Sequence, residues 1–126
     1  MRTLLAGVVL VVLVLSVSGC ATTRRVGSDE VEAAGRAGTA VLLDVRTRPE
    51  FRAGHIPGAV NIDVKSGDFD ERVARLPRDR SYIVYCQSGR RSALAIERMR
   101  GLGFRNLTHF EGGMVAWTAE GRPVER

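Results

Sequence analysis

Cys86-Gln87-Ser88-Gly89-Arg90-Arg91-Ser92 is the segment best equipped for chemistry. It follows a β-rich run, Ser81 to Cys86 (S-Y-I-V-Y-C). It precedes Arg91 to Leu102, where Leu94, Ala95, Met99 and Leu102 fall on one helical face. A thiol between a strand and a helix faces several backbone N–H groups and the positive end of the helix dipole. Both favour an anion and draw a cysteine toward the thiolate, the nucleophilic form. Gly89 allows backbone angles that let the loop curl its N–H groups inward as an anion-binding nest, and Arg90 and Arg91 add positive charge. Read alone, the segment also fits a buried, inert cysteine ending a strand.

The flanking sequence supplies elements to hold such a loop. Ser28 can cap a helix to about Ala37, with Asp29 and Glu30 in its first turn. Ala40 to Val45 is an apolar strand, and Pro49 to Ala53 a short helix opened by proline and closed by Gly54. Ala59 to Ile62 is a further strand. Phe69, Arg72, Val73 and Leu76 have helical spacing that Pro77 stops. Phe104 to Phe110 forms a last strand, and Met114 to Ala119 a last short helix. This alternation predicts an α/β domain of three layers, a mostly parallel central sheet with helices on both faces. Ligands bind such sheets beyond the carboxyl ends of the strands, where Cys86 stands.

The first residues read as an address. Arg2 precedes an apolar run, Leu4 to Val17, that suits a signal-peptide core and is short for a bilayer span. Val17-Ser18-Gly19-Cys20 resembles the lipobox of bacterial lipoproteins. That resemblance implies cleavage before Cys20, lipidation of its sulfur and anchoring by two or more acyl chains. An ordinary cleaved signal and an uncleaved anchor are the alternatives. The expected organisation is a signal peptide over 1–19, a lipidated cysteine and short polar tether over 20–27, and one domain over 28–126. The expected location is the bacterial cell envelope, with the lipoprotein membrane-anchored and facing the periplasm or the cell surface. Acylation of Cys20 would leave Cys86 a free thiol in an oxidising compartment.

Beyond the loop, Leu42-Leu43-Asp44-Val45-Arg46, Glu50-Phe51 and Gly54-His55-Ile56-Pro57-Gly58-Ala59-Val60-Asn61-Ile62 are very similar to the N-terminal signature of rhodanese domains. Cys86 to Ser92 resembles their active loop. Gly101-Leu102-Gly103-Phe104, Asn106-Leu107 and Gly112-Gly113 with Trp117 resemble their C-terminal part. The resemblance runs in register from about Val41 to Trp117. It implies the rhodanese-like fold and a thiosulfate-type sulfurtransferase working through a persulfide on Cys86, with no cofactor.

In that reading Gln87, Ser88, Gly89, Arg90, Arg91 and Ser92 bind the substrate. Arg91 stands at the family's loop arginine and helps to hold an anionic donor; Arg90 is a second contact. Asp44 and Arg46 support the site, chiefly as an ion pair bracing a strand end. His55 is read as structural, His109 as incidental, and Phe110 and Trp117 as core. The implied partners are a small anionic sulfur donor, a thiol or cyanide acceptor, the membrane, and a protein donor or acceptor where sulfur is delivered by a partner.

Cysteine-dependent phosphatases and arsenate reductases also cradle a thiolate. The phosphatase pattern has five residues between cysteine and arginine, and here four, Gln87 to Arg90, separate Cys86 from Arg91. A protein-partnered persulfide carrier and a non-catalytic rhodanese-like binding module are the remaining alternatives.

The 126 residues suffice for one domain; 44% are hydrophobic and 26% charged, as in soluble globular domains. The net charge of +5 is almost all arginine, with Lys65 the single lysine. Acidic residues are interspersed and no basic, aromatic-rich stripe stands out, so the balance reads as a mixed surface rather than a nucleic-acid site. Two histidines and two cysteines, far apart, form no recognised metal-ligand spacing.

Overall fold

The computed structural model describes residues 22–126; the predicted export signal and Cys20 lie outside the described residues. The elements in chain order are β1 (Arg24–Arg25), α1 (Ser28–Ala37), β2 (Val41–Asp44), α2 (Arg48–Ala53), β3 (Val60–Asn61), α3 (Phe69–Ala74), β4 (Tyr82–Tyr85), α4 (Arg90–Gly101), β5 (Leu107–His109) and α5 (Gly113–Ala119). The five strands form one sheet in the order β1-β5-β4-β2-β3, and every ladder is parallel. The fold is therefore the α/β architecture that the alternating pattern predicted.

Adjacent residues of a strand point to opposite faces, and the two central strands build a core on each side of the sheet. Leu43 of β2 and Val84 of β4 pack with Phe69 and Val73 of α3 and Ala95, Ile96 and Met99 of α4. Their neighbours Leu42, Ile83 and Tyr85 pack on the other face with Val31 of α1 and Met114 and Trp117 of α5. Burying side chains of this size contributes roughly 1.5–3 kcal/mol each, so the two-faced core holds the central strands firmly. β4 lies between β5 and β2, and its carboxyl end delivers Cys86 to the middle of the sheet's edge.

The tether expected over 20–27 is a tether only in part. Arg24–Arg25 pairs in parallel with Thr108 and His109 at the sheet edge, and the Val26 amide donates to the His109 carbonyl at 3.1 Å. Two exposed arginines carry no apolar alternation. The strand exists because β5 offers an unpaired edge, a property of the folded sheet.

Candidate active site

β4 ends at Tyr85 and α4 begins at Arg90, so Cys86 to Gly89 make the connection. Gly89 adopts φ +100°, and a Cβ there would lie 2.8 Å from the Glu111 carbonyl oxygen. Only glycine meets both demands. The turn sends Gly89 N–H to the Cys86 sulfur at 3.1 Å, and the N–H groups of Ser88 and Ser92 face the same atom. The Ser92 hydroxyl lies 3.3 Å from the sulfur. Cys86 is 1% exposed. Burial pushes its thiol pKa up, but the Ser92 hydroxyl and the N–H groups of Ser92, Gly89 and Ser88 together hold it below its ordinary value.

The loop's carbonyls are held outward by α5. Met114 N–H donates to the Cys86 carbonyl at 3.0 Å and Val115 N–H to that of Gln87 at 3.1 Å. This approach requires Gly113, which has φ +56° and whose Cβ would contact the Cys86 carbonyl and sit 2.7 Å from that of Gln87. With the carbonyls engaged outside, the N–H groups are left facing the sulfur.

Asp44 and Arg46 make a buried ion pair at the carboxyl end of β2. The guanidinium donates to both carboxylate oxygens, with Nη2 to Oδ2 at 2.7 Å. Arg46 also donates to the Gly54 carbonyl at 2.8 Å and to the Gln87 side-chain oxygen at 3.3 Å. The pair thereby ties β2 to the active loop. Burial would lower the Arg46 pKa, but the bond and charge of Asp44 outweigh it and leave it raised.

Arg91, assigned from sequence to the donor, is engaged by the protein itself. Its Nη1 and Nη2 donate to the two Glu50 carboxylate oxygens at 2.7 and 2.9 Å. Glu50 is fixed in turn by a capping box. Its backbone N–H donates to the Thr47 hydroxyl at 3.4 Å, and its Oε1 accepts from Thr47 N–H at 3.3 Å. The Arg91 bond, opposed by burial and aided by Thr47, holds the Glu50 carboxyl down at about 2. Arg90, at the start of α4, is exposed, as are the side chains of Gln87 and Ser88. A cavity of about 340 Å³ opens beside the loop, lined in part by Arg46, Glu50, Gln87, Met114, Val124 and Arg126.

His55 stacks on Phe51, with ring centroids 3.6 Å apart, and its Nδ1 meets the Phe51 carbonyl at 2.8 Å. It packs at the end of α2 as a structural residue. His109, set aside as incidental, is in the site's hydrogen-bond network, with Nε2 2.6 Å from the Ser92 hydroxyl. Two signals could have found the missed residues. The Thr47-x-x-Glu50 spacing is that of a capping box, and period-two alternation puts His109 on the same face as Leu107, toward α4.

Fold and site together define an α/β domain with a buried cysteine whose sulfur is cradled by loop N–H groups at a strand's carboxyl end. The chain belongs to the rhodanese-like domain family, whose model matches residues 28–120. It is 32% identical over 84 residues to a sulfurtransferase of Allochromatium vinosum, covering 67% of this chain and 77% of that protein. The crystal structure of a rhodanese-related protein from Thermoplasma volcanium superposes with a TM-score of 0.71 at 33% identity, covering 81% of this chain and 97% of the other. The human single-domain sulfurtransferase TSTD1 gives a TM-score of 0.67 at 26% identity, covering 79% and 98%.

Other relatives are longer. The chain spans 21% of the length of MoeZ from Mycobacterium tuberculosis and 39% of an HTH-type transcriptional regulator of the same species. Sulfur transfer is the chemistry supported at the level of the family.

Proposed function

We propose that the protein is a rhodanese-type sulfurtransferase that carries sulfane sulfur on Cys86. The observation that carries this reading is the Cys86 sulfur, buried at the end of β4 with the Gly89 N–H at 3.1 Å and the Ser92 hydroxyl at 3.3 Å. The Cys86 thiolate attacks the outer sulfur of thiosulfate or a related donor. A new S–S bond forms as the donor's S–S bond breaks, and sulfite departs with the electron pair. The persulfide Cys–S–S⁻ is an anion, which the N–H groups from Gln87 to Ser92 suit. A thiolate or cyanide then attacks the terminal sulfur, and Cys86 leaves as thiolate.

Arg91's engagement by Glu50 favours a second reading of the donor. With that guanidinium neutralised, an organic or protein-borne persulfide is better matched to the mouth than an inorganic dianion. The test is the mass of the peptide Ser81–Arg90, taken from the full chain before and after exposure to thiosulfate or glutathione persulfide, with Cys86→Ser as control. Gain of one sulfur atom at Cys86, and its removal by cyanide or a thiol, is the expected result; the donor that loads faster decides between the readings. A free thiol that gains sulfur from neither donor overturns the proposal.

Export and lipidation at Cys20 complete the proposal and rest on the sequence alone. Mass analysis of the N-terminal peptide from membrane-extracted protein should show Cys20 as the first residue, carrying acyl chains that Cys20→Ser lacks. A wild-type Cys20 without acyl chains would reject the lipid anchor.

A further inference from the structure

Cys86 is 1% exposed and His109 7%, yet one serine joins them. The Ser92 hydroxyl lies 3.3 Å from the Cys86 sulfur, 2.6 Å from His109 Nε2 and 3.1 Å from the Gly89 carbonyl. A hydroxyl has one proton to give and can accept from others. Its direction therefore depends on all three neighbours. His109 also lines a surface groove of about 720 Å³, together with Arg25, Ala93, Glu97 and Arg100. The buried sulfur is thus connected to the surface by two hydrogen bonds, on the side of the sheet edge away from Glu50 and the mouth of the loop.

Resting on the reading of Cys86 as the sulfur-bearing nucleophile, we infer that His109 is a positioning residue that exchanges a proton with Cys86 through Ser92, so that thiol and imidazole titrate as a coupled pair. Starting from the neutral tautomer with Nε2 bare, Cys86 S–H gives its proton to Ser92 as Ser92 gives its own to His109. The products are a thiolate, an unchanged hydroxyl and an imidazolium whose Nε2–H points at Ser92. Ser92 is then committed as a donor to the sulfur anion, a charge-assisted bond stronger than one to the Gly89 carbonyl. The imidazolium releases its other proton to water in the groove. When an acceptor later removes the sulfur and Cys86 leaves as thiolate, the same serine is already turned toward it.

The charges facing the imidazole are balanced. Arg25 comes from β1, Glu111 from the turn after β5, and Glu97 and Arg100 from α4. Burial lowers the His109 pKa and Arg25 reinforces this, while Glu111 and a bond to the Gly89 backbone oppose it, leaving the pKa below its ordinary value. An imidazolium formed there hands its proton on readily. A Cys86 thiolate would hold it further, beside Glu111 and the Gly89 backbone, and this is the origin of the coupling.

The decisive experiment measures alkylation of Cys86 by iodoacetamide from pH 5 to 10. It uses the full chain, reduced, in detergent, with the product read on the peptide Ser81–Arg90. It needs no sulfur donor, so its failure is separate from failure of the sulfurtransferase reading. His109→Gln keeps an N–H for Ser92 but cannot titrate. The expected result is a rate about tenfold lower than wild type at pH 6.5, equivalent to roughly one unit in thiol pKa, and rates matching wild type at pH 9.5.

An unchanged or faster rate at pH 6.5 would overturn the inference, because a histidine that is only a neutral packing partner withholds the serine proton or leaves the profile alone. A second readout needs no variant of His109. The imidazole midpoint, followed by NMR, should fall by about one unit in Cys86→Ser, where the thiolate is gone. An identical midpoint would also overturn it.

Discussion

Glu50→Gln isolates the contact that most separates this site from an open anion-binding loop. The glutamine still completes the capping box with Thr47, so α2 keeps its start. The charge on the Arg91 partner disappears. Glu50 is held at about 2, against an ordinary 4.5. A shift of about 2.5 units corresponds to at most about 3.4 kcal/mol. Glu50 is 34% exposed and the pair is partly solvated, which reduces the expected loss to about 1–2 kcal/mol.

Because the folded pKa is depressed, this stabilisation is fully present above pH 4.5 and is lost as pH falls toward 2. Urea denaturation of wild type and variant should differ by about 1–2 kcal/mol at pH 7 and converge near pH 2. The substitution also removes a negative charge from the mouth of the loop, worth about 1 kcal/mol toward an anionic donor in water-like surroundings. KM for thiosulfate should then fall about fivefold, with a smaller change for a neutral donor. A stability difference that does not vary with pH would refute the ion-pair argument. An unchanged KM would refute the placement of Arg91 at the donor.

Two further outcomes follow from the packing around the loop. Gly113→Ala places a Cβ against the carbonyls of Cys86 and Gln87 at φ +56°. It should cost about 2–4 kcal/mol in urea denaturation and reduce the sulfur loaded on Cys86, since the amides of Met114 and Val115 can no longer hold the loop; wild-type loading would refute that role. Asp44→Asn leaves Arg46, 4% exposed, without its charged partner. The remaining bonds to Gly54 and Gln87 put the loss near the lower end of the range for broken buried pairs, about 3 kcal/mol, and the melting temperature should drop by roughly 12 °C or more. A drop of less than a few degrees would show that the pair contributes little.

Much of the architecture was legible in the sequence because it is local. The runs ending at Asp44 and Cys86 are apolar on both faces, as central parallel strands must be. Pro49 and Gly54 bracket α2 as the rules for helix ends require. The helix from Arg90 buries Ala95 and Met99 of the expected face, but Leu94 is 49% exposed and Ser92 and Ile96 are buried instead, because the sheet meets the helix slightly to one side of the predicted stripe. Cys86, the glycine in its loop and the following helix are contiguous, so the placement of the loop could be read from adjacent residues.

What the sequence could not decide is which distant groups meet them. Arg91 and Glu50 are 41 residues apart, and Ser92 and His109 are 17 apart. Their contacts depend on β2, β4 and β5 lying side by side and on the direction each side chain leaves its backbone. Arg91 looked like a free cation and His109 like a bystander because spacing along a chain carries no record of such neighbours. β1 likewise exists only once β5 presents its edge. The sequence by itself determined a cysteine at the end of a central strand and the elements that carry it. Tertiary packing decided which charge Arg91 faces, which way Ser92 can turn and which groups set the proton on Cys86, because those are properties of distances that only the closed sheet creates.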